Sequence, residues 1–147
     1  MNEPVRRLLP LHAKVSSALT REASYQGALP ITRLERLRAV TVDPAGDLQV
    51  ELQLRRDKTR VPKLEGRVRG ALSVTCQRCL RPFQWPLDTA IDLRLVFNEE
   101  EESRVLKDSE PLLIEDDQVL FHAVVEEEVL LALPYAPRCE REDCEPG

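Results

Sequence analysis

Aromatic side chains are scarce in this 147-residue sequence; Phe, Tyr and Trp together make up 4%. A packed core must therefore come mostly from Leu and Val. Histidine is limited to His12 and His122. No pattern ties either one to a serine or cysteine nucleophile, so both read as packed or solvent-exposed side chains. Glycine occurs five times, and no phosphate-cradling Gly-rich loop is present. Carboxylates are plentiful, but without a pocket they do not form a general acid/base pair. Nothing in these absences argues for an enzyme. The longest apolar run, Val129 to Leu133, is far too short to cross a membrane. The start, Met1 to Pro10, has no sustained apolar segment and no small-residue cleavage site. The sequence therefore predicts a cytoplasmic protein.

Apolar residues at 42% and charged residues at 32% place the chain among soluble globular proteins. Its length fits a single domain over 1–147. The net charge of −5 conceals an asymmetry. Through Pro82 the chain carries 16 Lys and Arg against 8 Asp and Glu; from Phe83 onward it carries 5 against 18. A basic half suggests nucleic-acid contact on one side. The competing reading is that the two halves attract one another, or that the acidic part is a solvated loop.

The chain is organised around Thr75–Phe83, which contains Cys76 and Cys79. Before it, Val68, Leu72 and Val74 alternate with Arg67, Arg69 and Ser73. After it, Phe83, Trp85, Leu87, Ile91, Leu93 and Leu95 alternate with Gln84, Asp88, Asp92 and Arg94. Period two on both sides predicts a long β-hairpin with one apolar face. Gly66 and Gly70 read as bulges, and Pro86 must lie at an edge or a bulge because it cannot donate to a ladder. Upstream, Leu48, Val50, Leu52 and Leu54 mark another strand. Ser24–Pro30 reads as a loop, with Gly27 a site of positive φ. Ile31, Leu34 and Leu37, with Thr32 and Glu35 at capping-box spacing, suggest a short helix; Ala39–Val42 makes a strand the competing reading.

Residues 98–117 read as an acidic surface loop, with a brief strand at Pro111–Ile114. From Gln118 the period becomes helical: Phe121, Val125, Val129 and Leu133 repeat every four residues. Asp116 or Asp117 can cap this helix, and Pro134 ends it. Glu126, Glu127 and Glu128 span a wide arc, so one can face the domain rather than water. The expected fold is α+β: an antiparallel sheet with a long central hairpin, packed by a C-terminal helix.

The tail, 135–147, carries Cys139 and Cys144. If the helix folds back across the hairpin, these join Cys76 and Cys79 in a zinc-ribbon-like cluster. A closed set of four thiolates would hold zinc structurally, with no position open for substrate. The alternatives are ordinary thiols or a redox pair; a thioredoxin-type motif should begin a helix, and this one joins two strands. Arg55, Arg56, Lys58, Arg60, Lys63, Arg67, Arg69, Arg78 and Arg81 flank the hairpin and can form a stripe for RNA phosphates. Stacking aromatics are missing from this stretch, which argues against the common single-strand readers.

Two segments then resemble a known family. Leu72-Ser73-Val74-Thr75-Cys76-Gln77-Arg78-Cys79-Leu80-Arg81-Pro82-Phe83 is similar to the signature of the bacterial YceD family, and Glu126–Pro134 to its glutamate-rich helix end. The resemblance runs from about Tyr25 to Cys144. It implies a non-enzymatic role in accumulation of large-subunit (23S) ribosomal RNA. The implied partners are that RNA or large-subunit precursor particles, with no membrane and no small-molecule substrate. The alternative is an acidic interaction module or chaperone for a basic ribosomal protein. Family members often continue past the last cysteine, whereas this sequence stops at Gly147; a contact made by such a tail is then absent or taken over by the basic hairpin.

Overall fold

The computed structural model describes residues 7–146. The readings made on Met1 to Arg6 and on Gly147 lie outside the described residues. Among the described residues seven strands are present: β1 (His12–Lys14), β2 (Ser24–Pro30), β3 (Asp47–Arg56), β4 (Pro62–Thr75), β5 (Pro82–Val96), β6 (Pro111–Leu113) and β7 (Gln118–Leu120). Four helices accompany them: α1 (Val15–Arg21), α2 (Glu35–Arg38, after a 3-10 turn at Ile31–Arg33), α3 (Glu99–Val105) and α4 (Phe121–Ala132). Five strands form one sheet in the order β2-β3-β4-β5-β6; β1 and β7 pair separately. All neighbours are antiparallel except β5 and β6. The expected α+β fold, long hairpin and C-terminal helix are present.

One face of the large sheet carries the main core. Leu48, Val50, Leu52 and Leu54 of β3, Leu64, Val68, Leu72 and Val74 of β4, and Leu87, Ile91, Leu93 and Leu95 of β5 are buried. They share one core with Val15, Ala18 and Leu19 of α1, Leu37 of α2, and Phe121, Val124, Val125 and Val129 of α4. Tyr25 lies against Phe121 with ring centroids 4.9 Å apart. The other sheet face is polar and open, as antiparallel sheets allow, except at the end of β5, where Val96 is buried.

Strand β4 keeps unbroken register with both neighbours, so Gly66 and Gly70 are not bulges. They are sites of close approach. A Cβ on Gly66 would collide with the Glu51 carbonyl oxygen, and one on Gly70 would lie 2.9 Å from a methyl of Leu48. Pro86 is at the edge, as expected. The Arg94 N–H donates outward to the Glu110 carbonyl, and β-strand alternation then turns the even-numbered backbone groups of β5 outward. Pro86 therefore lacks its N–H on the side where β5 has no strand neighbour.

Several expectations need correction. Ser24–Pro30 is an edge strand, not a loop. Gly27 has no positive φ; its missing side chain admits the backbone of Leu9, whose N would lie 2.6 Å from a Cβ there. Helix α1 was not anticipated, because Val-Ser-Ser-Ala-Leu-Thr-Arg has weak intrinsic propensity. Its start is held from 101 residues away: Asp117 accepts from the Ser16 N–H at 3.0 Å and from the Ser16 hydroxyl at 2.6 Å. Asp117 thus serves α1 rather than α4. It and Asp116 occupy a left-handed turn (φ 55° and 54°) before β7.

The acidic segment holds a helix in place of a loop. Asn98 caps α3 by accepting from the Glu101 N–H at 2.8 Å, and the Glu101 carboxylate returns to the Phe97 N–H at 2.9 Å. Its glutamates sit where the helix dipole favours negative charge. The brief strand expected near Pro111 is β6. Thr32 and Glu35 form no capping box, since α2 starts from Leu34. Glu126 of α4 supplies that cap instead, accepting from the N–H groups of Arg36 (3.0 Å) and Leu37 (3.2 Å). Glu127 pairs with the Arg36 guanidinium at 2.8 Å.

Candidate metal centre

The turn between β4 and β5 folds around the Cys76 sulfur. The N–H groups of Arg78 and Cys79 both point to it at 3.4 Å. The Leu80 N–H closes the turn on the Cys76 carbonyl at 2.8 Å, which places Leu80 in the left-handed region (φ 62°). The tail then crosses the tip. Pro137 accepts from the Gln77 N–H at 2.8 Å, and the Cys139 N–H reaches the Cys76 sulfur at 3.4 Å. Arg81 donates to the Asp143 carboxylate at 3.1 Å and to its carbonyl at 3.1 Å. Arg141 donates to the Pro82 carbonyl at 2.6 Å. These latches had no sequence signal, because Arg81 and Asp143 are 62 positions apart.

The four sulfurs of Cys76, Cys79, Cys139 and Cys144 lie within 4.8 Å of one another and could hold a metal ion. Cys76 and Cys144 are 3.6 Å apart, and Cys79 and Cys139 are 3.7 Å apart. A disulfide would need about 2.05 Å. A tetrahedral site with metal–sulfur bonds of about 2.3 Å has edges of about 3.8 Å. The donor set therefore fits a four-coordinate thiophilic cation.

Electrostatics divides the thiols. Burial opposes ionisation of Cys76, but the N–H groups of Cys79, Cys139 and Arg78 outweigh it and bring the thiol down to about 5. The Arg81 N–H lowers Cys79 against burial. Burial pushes Cys144 up to about 12. Four thiolates this close need a cation to remain charged together.

The nine basic residues expected to form a stripe divide into two groups. Arg55 makes a two-point pair with Glu65 at 2.8 and 2.9 Å. Lys63 lies 2.7 Å from Asp92 and 3.4 Å from Glu65. Arg67 and Arg69 share Asp88, at 2.5 and 3.7 Å, and Arg81 belongs to the tail latch. Asp88 is held below the usual carboxylate range by its hydrogen bond from Arg67. The open face of β3, β4 and β5 is thus a lattice of alternating charge. Arg56, Lys58, Arg60 and Arg78 make no ion pair among the described residues.

Of the histidines, the pKa of His122 is lowered by burial and then by Arg33, and its Nε2 is buried without a partner; His12 is exposed on β1. No helix among the described residues is long and apolar enough to cross a membrane.

The architecture is that of an α+β domain whose long hairpin ends in four convergent thiols, a pattern of structural metal centres. The family model described as "Large ribosomal RNA subunit accumulation protein YceD" matches residues 64–147, and the chain belongs to the YceD family. A relative from Haemophilus influenzae (strain ATCC 51907 / DSM 11121 / KW20 / Rd), named "Large ribosomal RNA subunit accumulation protein YceD", is 28% identical over 138 residues. The alignment covers 93% of this chain and 79% of the relative. No solved structure matches the chain.

Proposed function

We propose that this protein is a non-enzymatic factor for large-subunit ribosomal RNA accumulation, working in the cytoplasm on that RNA or on precursor particles. The observation that carries this reading is membership of a family named for that process. Zinc is the proposed cofactor, held by Cys76, Cys79, Cys139 and Cys144. A zinc ion bound there would cross-link the hairpin tip to the tail. Four protein sulfurs fill a tetrahedral shell, which suits a structural rather than a catalytic role. RNA contact is proposed to be electrostatic, through phosphates rather than bases, since the basic residues lack interleaved aromatics.

A second reading is supported by α3. Glu99 and Glu100 are exposed on it, and they offer a docking site for a basic ribosomal protein. Sedimentation of the tagged protein through a sucrose gradient, with and without ribonuclease, separates the two. The preferred reading expects co-migration with large-subunit precursors that ribonuclease abolishes. Co-migration that survives ribonuclease supports the protein-docking reading. Migration only at the top of the gradient contradicts stable association with precursors.

A further inference from the structure

We infer that the RNA phosphates are held at the β3–β4 end of the molecule, by Arg56, Lys58, Arg60, Arg94 and Arg104, and not by the open sheet face or the cysteine tip. This inference rests on the RNA reading above and deepens it by naming the contact.

Cations without an ion pair are the ones ready to take a phosphate. The sheet face has spent its positive charge on Glu65, Asp88 and Asp92. A phosphate approaching Arg55, Lys63, Arg67 or Arg69 must displace a carboxylate already in place. The cysteine tip offers exposed Arg78 and Arg138. Beside them in the chain lie Glu140, Arg141, Glu142 and Glu145, while Asp143 is paired with Arg81; four thiolates around one divalent cation would add two further negative charges. Neither place favours a polyanion.

At the other end of β4 the balance differs. The β3–β4 turn is built by Asp57, whose Oδ1 accepts from the Thr59 N–H (2.8 Å), the Thr59 hydroxyl (2.7 Å) and the Val61 N–H (3.0 Å). That carboxylate is consumed inside the turn, and Arg56, Lys58 and Arg60 are left exposed around it. Beside the turn lies a hollow of about 360 Å³ lined by Val61, Pro62, Arg94, Glu101, Arg104 and neighbouring apolar residues. Arg94 and Arg104 make no ion pair among the described residues. Of the four α3 glutamates, only Glu101 lines the hollow, and its carboxylate is engaged by the Phe97 N–H. Five cations with no ion pair among the described residues thus border one turn and one hollow, Arg56 also donating to the Arg60 carbonyl at 3.2 Å. They offer phosphates ready partners whose engagement releases counterions from the RNA. Arg94 and Arg104 were absent from the sequence-derived stripe because the hollow exists only once residues 99–105 fold as a helix.

The test is fluorescence anisotropy of the full chain with a large-subunit ribosomal RNA transcript over a series of salt concentrations. The turn variant R56Q/K58Q/R60Q is compared with the wild type and with the sheet-face variant R67Q/R69Q. A second variant, R94Q/R104Q, addresses the hollow. None of these positions is in the core, and thermal melts confirm that the variants fold. The turn variant is expected to bind at least tenfold more weakly. Its plot of log K against log salt should be shallower by roughly 2, from three lost phosphate contacts at about 0.7 each. R94Q/R104Q should weaken binding severalfold, and R67Q/R69Q by less than twofold. Wild-type binding that the turn and hollow variants leave unchanged, or that R67Q/R69Q weakens more, would overturn the location while leaving the RNA reading intact. A wild type that does not bind at low salt would overturn both. Displacement by polyglutamate as readily as by unlabelled RNA would reassign this end to an acidic protein.

Discussion

From Lys63 to Arg69, strand β4 has a strand on each side; from Gly70 to Thr75 it has β5 alone, apart from a single bridge between Ser73 and Asp43. The first half is held as sheets usually are. Leu64 and Val68 are fully buried beneath it, and on the open side each cation meets a carboxylate across the strands. The second half is a two-stranded arm, and isolated two-stranded ribbons are marginal in water. Leu72 and Val74 are buried under the arm and Phe83 and Trp85 pack partly against it, but its end is fastened by the tail and four thiols. Where the third strand is missing, the tail and the four thiols take its place, and a metal ion held there would cross-link them.

This contrast can be broken most severely at the tip. Cys76→Ser should release the metal and cost more than about 4 kcal/mol, a fraction of the roughly 10–16 kcal/mol that structural zinc supplies to domains with little core of their own. Amide exchange should accelerate over 70–87 and 135–144 far more than over 48–69. Uniform acceleration would show that the arm is not a separate unit. Phe121→Ala attacks the other half, and should cost about 3–5 kcal/mol through the cavity it leaves. Urea denaturation should show that loss while metal content stays unchanged. Arg81→Ala cuts the latch to Asp143 and the contact with the Cys79 thiol. Metal affinity, measured by competition with a chelator, should fall about 10–100-fold, as for other groups that orient metal ligands.

The smallest effect concerns Glu128. Burial pushes its carboxyl up to about 7, with Glu110 and Glu127 adding repulsion. The folded chain therefore holds a proton that the unfolded chain has released between about pH 4.5 and pH 7, so this group makes stability fall as pH rises through that window. Glu128→Gln should leave stability unchanged near pH 4.5 and raise it by about 1 kcal/mol at pH 8, a value reduced for the carboxylate's remaining solvent access. Equal gains at both pH values would contradict the assignment.

The hairpin, β3 and α4 were legible because their apolar periods are long and unbroken. Cys76 and Cys79 were legible because their spacing matches a turn that converges two sulfurs. What could not be read depended on distant partners. Helix α1 needs Asp117, α2 needs Glu126, and β2 needs the backbone of Leu9 against Gly27. The charge stripe failed as a single surface for the same reason. Arg67 and Asp88 are 21 positions apart, and only the strand register brings them together. Two residues of the glutamate-rich segment have a structural role here, since Glu126 caps α2 and Glu127 pairs with Arg36.

The central claim, that a metal ion fastens the arm, is tested most directly by native mass spectrometry of the purified protein before and after chelation, paired with amide exchange. The account predicts one zinc ion per chain, absent from the Cys76→Ser variant, and loss of protection over 70–87 when zinc is removed. A metal-free wild type whose arm is as well protected as the rest of the sheet would contradict it.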